Sequence, residues 1–304
     1  MTGPLIATNA LSKGIHREWA LPNPTLGELW KSIVMDEVQK TQLLSQAVVN
    51  FTVRPRVNRS ILPLHGVILL VGAPGTGKTS LARGLAHRVA ESFSSCRMRL
   101  LEVEPHSLAS SSLGKTQRAV SDLFAQSISE AASAGPLIVL LDEVETLAVD
   151  RSKLSLDANP IDVHRATDAV LVQLDLLAEK YPNLLFIATS NFPEAIDSAF
   201  VSRCDLVMEI PLPNREACRQ ILEACLHGLA NTFPDIRKLT NAPRFGDCVQ
   251  ACEGLDGRAI RKVVANALAA TRETATDPNR VTIDHLLKAI TDAKANRPRQ
   301  GKRA

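Results

Sequence analysis

Residues 72–79 read GAPGTGKT, which has the types and spacing of a phosphate cradle, G-x-x-x-x-G-K-[ST]. Gly72, Gly75 and Gly77 permit a tight turn through Ala73, Pro74 and Thr76, with the available backbone N–H groups directed inward. A helix following directly would add the positive end of its dipole, so the pair of features attracts phosphate oxygens. Lys78 would reach the β- and γ-phosphates, the Thr79 hydroxyl would ligate Mg²⁺, and Ser80 completes the nucleotide-binding run. The implied ligands are ATP and Mg²⁺.

A second chemical signal lies at 137–143, LIVLLDE, an apolar run ending in two acids. A buried strand can end in acids merely to stop, but downstream of a phosphate loop the pair takes on defined roles. Asp142 would hold Mg²⁺, directly or through water. Glu143 would orient the attacking water and accept its proton. Two acids rather than one favour hydrolysis over binding alone.

These groups need a rigid frame. Short apolar runs at 67–71, 98–104, 137–142, 184–189 and 207–210 read as strands, separated by helix patterns near 78–93, 116–133 and 162–180. Alternation of this kind predicts an α/β fold with a five-stranded parallel sheet covered by helices on both faces. After PLPN at 211–214 only helix patterns remain, near 214–230, 243–253, 257–274 and 282–294. The expected division is an N-terminal arm over 1–25, a large α/β domain over 26–213, a small all-helical lid over 214–294, and a basic tail over 295–304.

Composition sets outer bounds. With 45% hydrophobic and 22% charged residues the chain can bury a sizeable core. A net charge of +3 is too small and too dispersed to announce a nucleic-acid binder. No stretch of about 18 apolar residues is present and the N-terminus lacks signal-peptide character, so a cytoplasmic protein without a membrane partner is expected. The six cysteines form no CxxC pair. Reduced thiols fit better than a metal site drawn from Cys218, Cys225, His227, Cys248 and Cys252.

Three further segments resemble the working parts of AAA+ ATPases. Asn191, ending the strand LLFIATSN at 184–191, resembles the sensor-1 residue that helps hold the water. Arg203 in SAFVSRCD at 198–205 resembles the arginine finger, which would stabilise γ-phosphate charge across a subunit interface. Arg258 in GLDGRAIRK at 254–262 matches the sensor-2 position of the lid. Each arginine has a plainer alternative: Arg203 as a surface residue, Arg258 as a solvated residue of a helix's first turn, where the dipole mildly disfavours it.

The chain most resembles the pachytene-checkpoint AAA+ ATPases, the thyroid-receptor-interactor type remodellers of HORMA-domain proteins. The resemblance covers roughly residues 26–270 and is carried by GELWKSIVMDEVQKTQLLSQAV (27–48), VGAPGTGKTSLARGLA (71–86), LLDEVETLAVDRS (140–152), ATDAVLVQLDLL (166–177) and ATSNFPEAIDSAFVSRCD (188–205). It implies a homo-hexamer that grips a HORMA protein in its pore and frees it from its closure peptide. Members of eukaryotic architecture carry an N-terminal substrate domain; only about 25 residues precede the ATPase region here, so that domain is expected to be missing. The short form is similar to bacterial versions encoded beside cyclic-oligonucleotide antiphage (CBASS) operons, where the HORMA protein serves a nucleotidyltransferase. The resemblance therefore implies negative regulation of that signalling.

The first pore loop aligns with HSLASSSLGKTQRAV (106–120), where Ser112 and Leu113 stand in place of the usual aromatic and apolar pair. Residues 150–165 would form the second pore loop. A competing function is a nucleic-acid machine of clamp-loader or initiator type, suggested by the SRC at 202–204. The small basic excess and the lack of an added DNA-binding domain stand against it.

Overall fold

The computed structural model describes residues 14–93, 96–105, 108, 115–150 and 160–296. They divide into two compact units, one from 14–72 and 78–210, the other from 73–77 and 211–296.

In the first unit the chain runs β1 (Ile15–Leu21), α1 (Pro24–Ser32), α2 (Glu37–Thr52), β2 (Val67–Val71), α3 (Lys78–Glu91), β3 (Met98–Val103) and α4 (Lys115–Asp122). A π-helical stretch, Leu123–Ile128, joins α4 to α5 (Ser129–Ser133). Then follow β4 (Leu137–Leu141), α6 (Pro160–Lys180), β5 (Leu184–Ser190), α7 (Ser198–Val201) and β6 (Leu206–Glu209). The sheet order is β1-β3-β4-β5-β2-β6. All five strands read from the sequence are present, and they pair in parallel.

The sheet has six strands, however, because β1 pairs antiparallel with β3. Residues 15–21, read above as part of an arm, therefore belong to the sheet. Their alternation is weak, IHREWAL, and the half-exposed edge position explains why no buried-strand signal marked them. What holds β1 is a specific polar tie. The Trp19 indole donates to Glu102 Oε1 at 2.7 Å, and Arg83 grips both oxygens of the same carboxylate at 2.9 and 2.8 Å. Glu102 is only 3% exposed, so its charge is tolerable because it is paired and hydrogen-bonded on both oxygens.

Strand periodicity builds the two cores. In β2, Val67, Leu69 and Val71 face one side with α4, the π-helical stretch and α6; Ile68 and Leu70 face the other with α1, α2 and α3. β4 and β5 divide in the same way, Val139 and Phe186 on one face and Ile138 and Ile187 on the other. Because both faces are covered, every residue of these three strands is buried. Removing one such side chain to alanine costs about 2–5 kcal/mol, so strand register, and with it the placement of the strand ends, is strongly held.

The second unit is helical among its described residues: α8 (Arg215–Ala230), a 3-10 stretch Pro234–Asn241, α9 (Phe245–Cys252), α10 (Gly257–Leu268), α11 (Arg272–Thr276) and α12 (Ile283–Ala295). The single helix pattern read at 257–274 is in fact α10 and α11, separated where Thr271 starts a new helix with a capping box. Hydrogen bonding by the Thr271 side chain to the Thr274 N–H outcompetes helix continuation there.

Candidate functional site

In a doubly wound parallel sheet, ligands meet the carboxyl ends of the strands. Those of β2, β4 and β5 lie side by side here, with β5 between the other two. β2 is followed by Gly72, whose φ of 149° suits glycine and where an added Cβ would come 2.4 Å from the Ile210 carbonyl oxygen. The loop then turns through Gly75, at φ 83°, where a Cβ would come 2.2 Å from Asp256 Oδ1. Neither position has room for a side chain, so these glycines are required by close approach as well as by conformation. The Thr76 hydroxyl donates to the Ala73 carbonyl at 3.0 Å and pins the turn.

Lys78 opens α3 with its side chain folded back over the loop. Its ammonium donates to the Gly72 carbonyl at 2.8 Å and to Asn191 Oδ1 at 2.7 Å, and the residue is 5% exposed. A cation kept this far from water must be met by polar partners. The Asn191 amide in turn donates from Nδ2 to Glu143 Oε1 at 3.2 Å. One side chain thus bridges the lysine of the phosphate loop and the candidate general base.

The acid pair is held from beneath. The Thr79 hydroxyl donates to Asp142 Oδ1 at 2.8 Å, and the Thr189 hydroxyl donates to the same oxygen. Thr189 also accepts the Glu143 backbone N–H at 3.1 Å. Thr79 and Asp142 form an all-oxygen donor pair, which suits a hard cation such as Mg²⁺ that keeps most of its waters. Glu143 itself has φ 54° and ψ 53°, the left-handed region, and is the one non-glycine with positive φ among the described residues. Such a conformation costs on the order of 1–3 kcal/mol and clusters at functional sites. The Thr189 contact and the Thr146 N–H bond to the Glu143 carbonyl at 3.1 Å hold it there. Thr189 was not singled out from the sequence, although it stands in ATSN two residues before Asn191.

Arg203 follows α7 and meets Asp175 of α6 fork to fork, Nε to Oδ1 at 2.9 Å and Nη2 to Oδ2 at 2.7 Å. Its Nη1 donates to the Ala199 carbonyl at 2.7 Å. The hydrogen bonds from Arg203 lower the Asp175 pKa, and the same bonds raise that of the guanidinium. His65 Nε2 lies 3.5 Å from Asp175 Oδ1, and burial lowers its pKa. The next carboxylate, Asp205, accepts the backbone N–H groups of His65, Gly66 and Val67 at 2.9, 2.6 and 3.2 Å. It ties the arginine segment to the start of β2. Asp175 and His65 carry no sequence signal of their own, because they meet Arg203 only through the fold.

Among the other sequence-predicted residues, Arg258 lies in the first turn of α10 with its side chain exposed, and its backbone N–H donates to the Gly75 carbonyl at 3.2 Å. Asp256 caps that helix, accepting the Ala259 N–H at 2.8 Å. Ser112 and Leu113 lie outside the described residues, as does 151–159 of the segment read as a second pore loop. Among the described residues no helix is long and apolar enough to cross a membrane.

Residues 68–212 match the family model described as ATPase family associated with various cellular activities (AAA). The chain is 72% identical over 292 residues to CD-NTase-associated protein 6 of Pseudomonas aeruginosa, covering 96% of each. It is 31% identical to the pachytene checkpoint protein 2 homolog of Danio rerio, covering 93% of this chain and 70% of that protein. The chain belongs to the pachytene-checkpoint family of AAA ATPases. Within the solved structures of this fold, the E. coli MS115-1 HORMA:CdnC:Trip13 complex matches with TM-score 0.73 and 18% identity, over 94% of this chain and 97% of that one. Nucleotide binding follows from membership of the AAA ATPases.

Proposed function

We propose that this chain is an ATP-driven ring motor, a homo-hexamer, that remodels a HORMA-domain protein. In doing so it separates that protein from its closure peptide or nucleotidyltransferase partner and restrains antiphage cyclic-oligonucleotide signalling. The observation that carries the hydrolytic part is the chain of contacts Lys78–Asn191–Glu143, one continuous polar path from the phosphate loop to the candidate base. The HORMA part is supported by the 72% identity to a CD-NTase-associated protein and by the fold shared with a chain of the E. coli MS115-1 HORMA:CdnC:Trip13 complex.

In this reading the backbone of 72–77 and Lys78 bind the β- and γ-phosphates of ATP. Thr79 and Asp142 would hold Mg²⁺, which when bound neutralises charge on the phosphate oxygens. Glu143 accepts the proton of the attacking water, its carboxylate kept in line by the Asn191 amide. Arg203 of one subunit serves the site of the next, and Arg258 is a further nucleotide-binding charge. Ser112 and Leu113 would contact the substrate protein.

The test is a preformed complex of a cognate HORMA protein with its closure peptide or nucleotidyltransferase, followed by size exclusion or fluorescence anisotropy with ATP and Mg²⁺. The wild-type protein dissociates it, and Glu143→Gln binds it without release. A complex that persists equally with wild type, with Glu143→Gln and with no ATPase present would leave an AAA ATPase acting on some other substrate.

A further inference from the structure

Glu145 lies two residues beyond the candidate base, inside the 3-10 turn Val144–Thr146 that follows β4. Its Oε1 accepts the backbone N–H of Asn191 at 3.1 Å. Its Oε2 is buried, with no hydrogen-bond donor among the described residues. A buried carboxylate oxygen without a donor is unfavourable, and an apolar side chain in its place would remove that penalty. The arrangement is therefore a poor device for stability, and a buried unsatisfied group in a native fold calls for another reason.

The peptide that Glu145 grips supplies that reason. It carries the Asn191 side chain, which touches both Lys78 and Glu143. Further ties between the loops after β4 and β5 lie beyond these residues. Val149 pairs with Ile196 in an isolated antiparallel bridge, Asp150 N–H donates to the Ala195 carbonyl at 2.7 Å, and Asp197 N–H to the Ala148 carbonyl at 2.9 Å. Beyond the end of β5 the Phe192 N–H closes only a local turn on Ser190 Oγ. The Glu145 carboxylate ties the β4 loop to the Asn191 peptide itself.

The geometry points to Glu145 as a positioning residue for hydrolysis, which acts by fixing the Asn191 backbone so that its amide keeps Glu143 in line with the phosphate loop. This inference rests on the reading of Asn191 as the residue that helps hold the water.

The experiment measures ATPase turnover against ATP concentration, with fluorescent-nucleotide binding and melting temperature alongside. The variants are Glu145→Ala, Glu145→Gln, Asn191→Ala and the Glu145→Ala/Asn191→Ala double. Glu145→Ala should lower kcat about ten-fold, the scale on which a small misplacement near a reacting group acts. KM for ATP and nucleotide affinity should stay within about two-fold of wild type. Glu145→Gln keeps an acceptor for the Asn191 N–H and should recover most of the loss. The double variant should be no slower than Asn191→Ala alone, because the two act through one amide. Wild-type kcat in Glu145→Ala beside a slow Asn191→Ala overturns the inference and leaves the water-holding role standing. A Glu145→Ala loss that comes with weaker nucleotide binding and a lower melting temperature, unrescued by glutamine, also overturns it in favour of a structural role. Wild-type kcat in Asn191→Ala removes the parent reading, and the inference with it.

Discussion

Arg203 and Asp175 face one another as guanidinium and carboxylate in parallel, two hydrogen bonds of 2.9 and 2.7 Å, within a single subunit. The arrangement aims a long, otherwise mobile side chain and leaves one further nitrogen on the Ala199 carbonyl. If Arg203 serves a neighbouring site, Asp175 fixes the direction in which its charge is presented. Asp175→Ala should then reduce ATPase turnover about ten-fold, close to the worth of one charged hydrogen bond. Nucleotide affinity should be unchanged, since in this reading Arg203 acts on a neighbouring subunit's site. Turnover within two-fold of wild type, by steady-state assay, would show that the fork does not matter to the finger.

The finger itself can be tested by mixing subunits. Arg203→Ala subunits and Lys78→Ala subunits should each be inactive alone. Mixed, they should regain part of the wild-type turnover, because some interfaces then join an intact phosphate loop to an intact finger. Confirmed mixed assembly with no recovered activity would count against action in trans.

Glu143 offers a test of both chemistry and strain. Glu143→Gln keeps shape and hydrogen bonding but cannot take a proton, so turnover should fall by about 100-fold or more while ATP still binds. The left-handed backbone makes a separate forecast. At most positions glycine is less stable than alanine by about 0.5–1 kcal/mol, but a left-handed alanine carries a penalty of about 1–2 kcal/mol that glycine avoids. Glu143→Gly should therefore melt no lower than Glu143→Ala in calorimetry. The opposite order would mean that the residue relaxes out of the left-handed region once its side chain is removed.

Arg54 is the clearest purely architectural target. It follows α2, is 9% exposed, and donates to the carbonyls of Leu184 and Ala178 and to Asn50 Oδ1. Burial pulls its pKa down to about 10, which reflects how costly the charge is there. Arg54→Met relieves that cost but strands the acceptors, so a net loss of about 2 kcal/mol is expected in denaturant unfolding. A variant as stable as wild type would show that the acceptors find water or rearrange.

The candidate roles of Gly72 to Ser80, with Asp142 and Glu143, were legible in the sequence because such roles depend on short-range spacing. A glycine turn running into a helix, and an apolar strand ending in two acids, need only local geometry. β2, β4 and β5 were legible for a related reason: strands buried on both faces are almost wholly apolar. β1 was not, since an edge strand held by Trp19 and the Arg83–Glu102 pair leaves little apolar signature. The single helix read at 257–274 likewise hid the break that the Thr271 capping box imposes. Only the fold could decide the remaining partners. Thr189 reaches Asp142, Glu145 reaches Asn191 and Asp175 reaches Arg203 because the adjacency of β4 and β5, and the packing of α6 beside the arginine segment, close separations of 47, 46 and 28 residues. A carboxylate or hydroxyl acquires such a role from what the sheet order sets next to it, and sheet order is fixed by the burial of whole strands, a property of the folded molecule that no local spacing records.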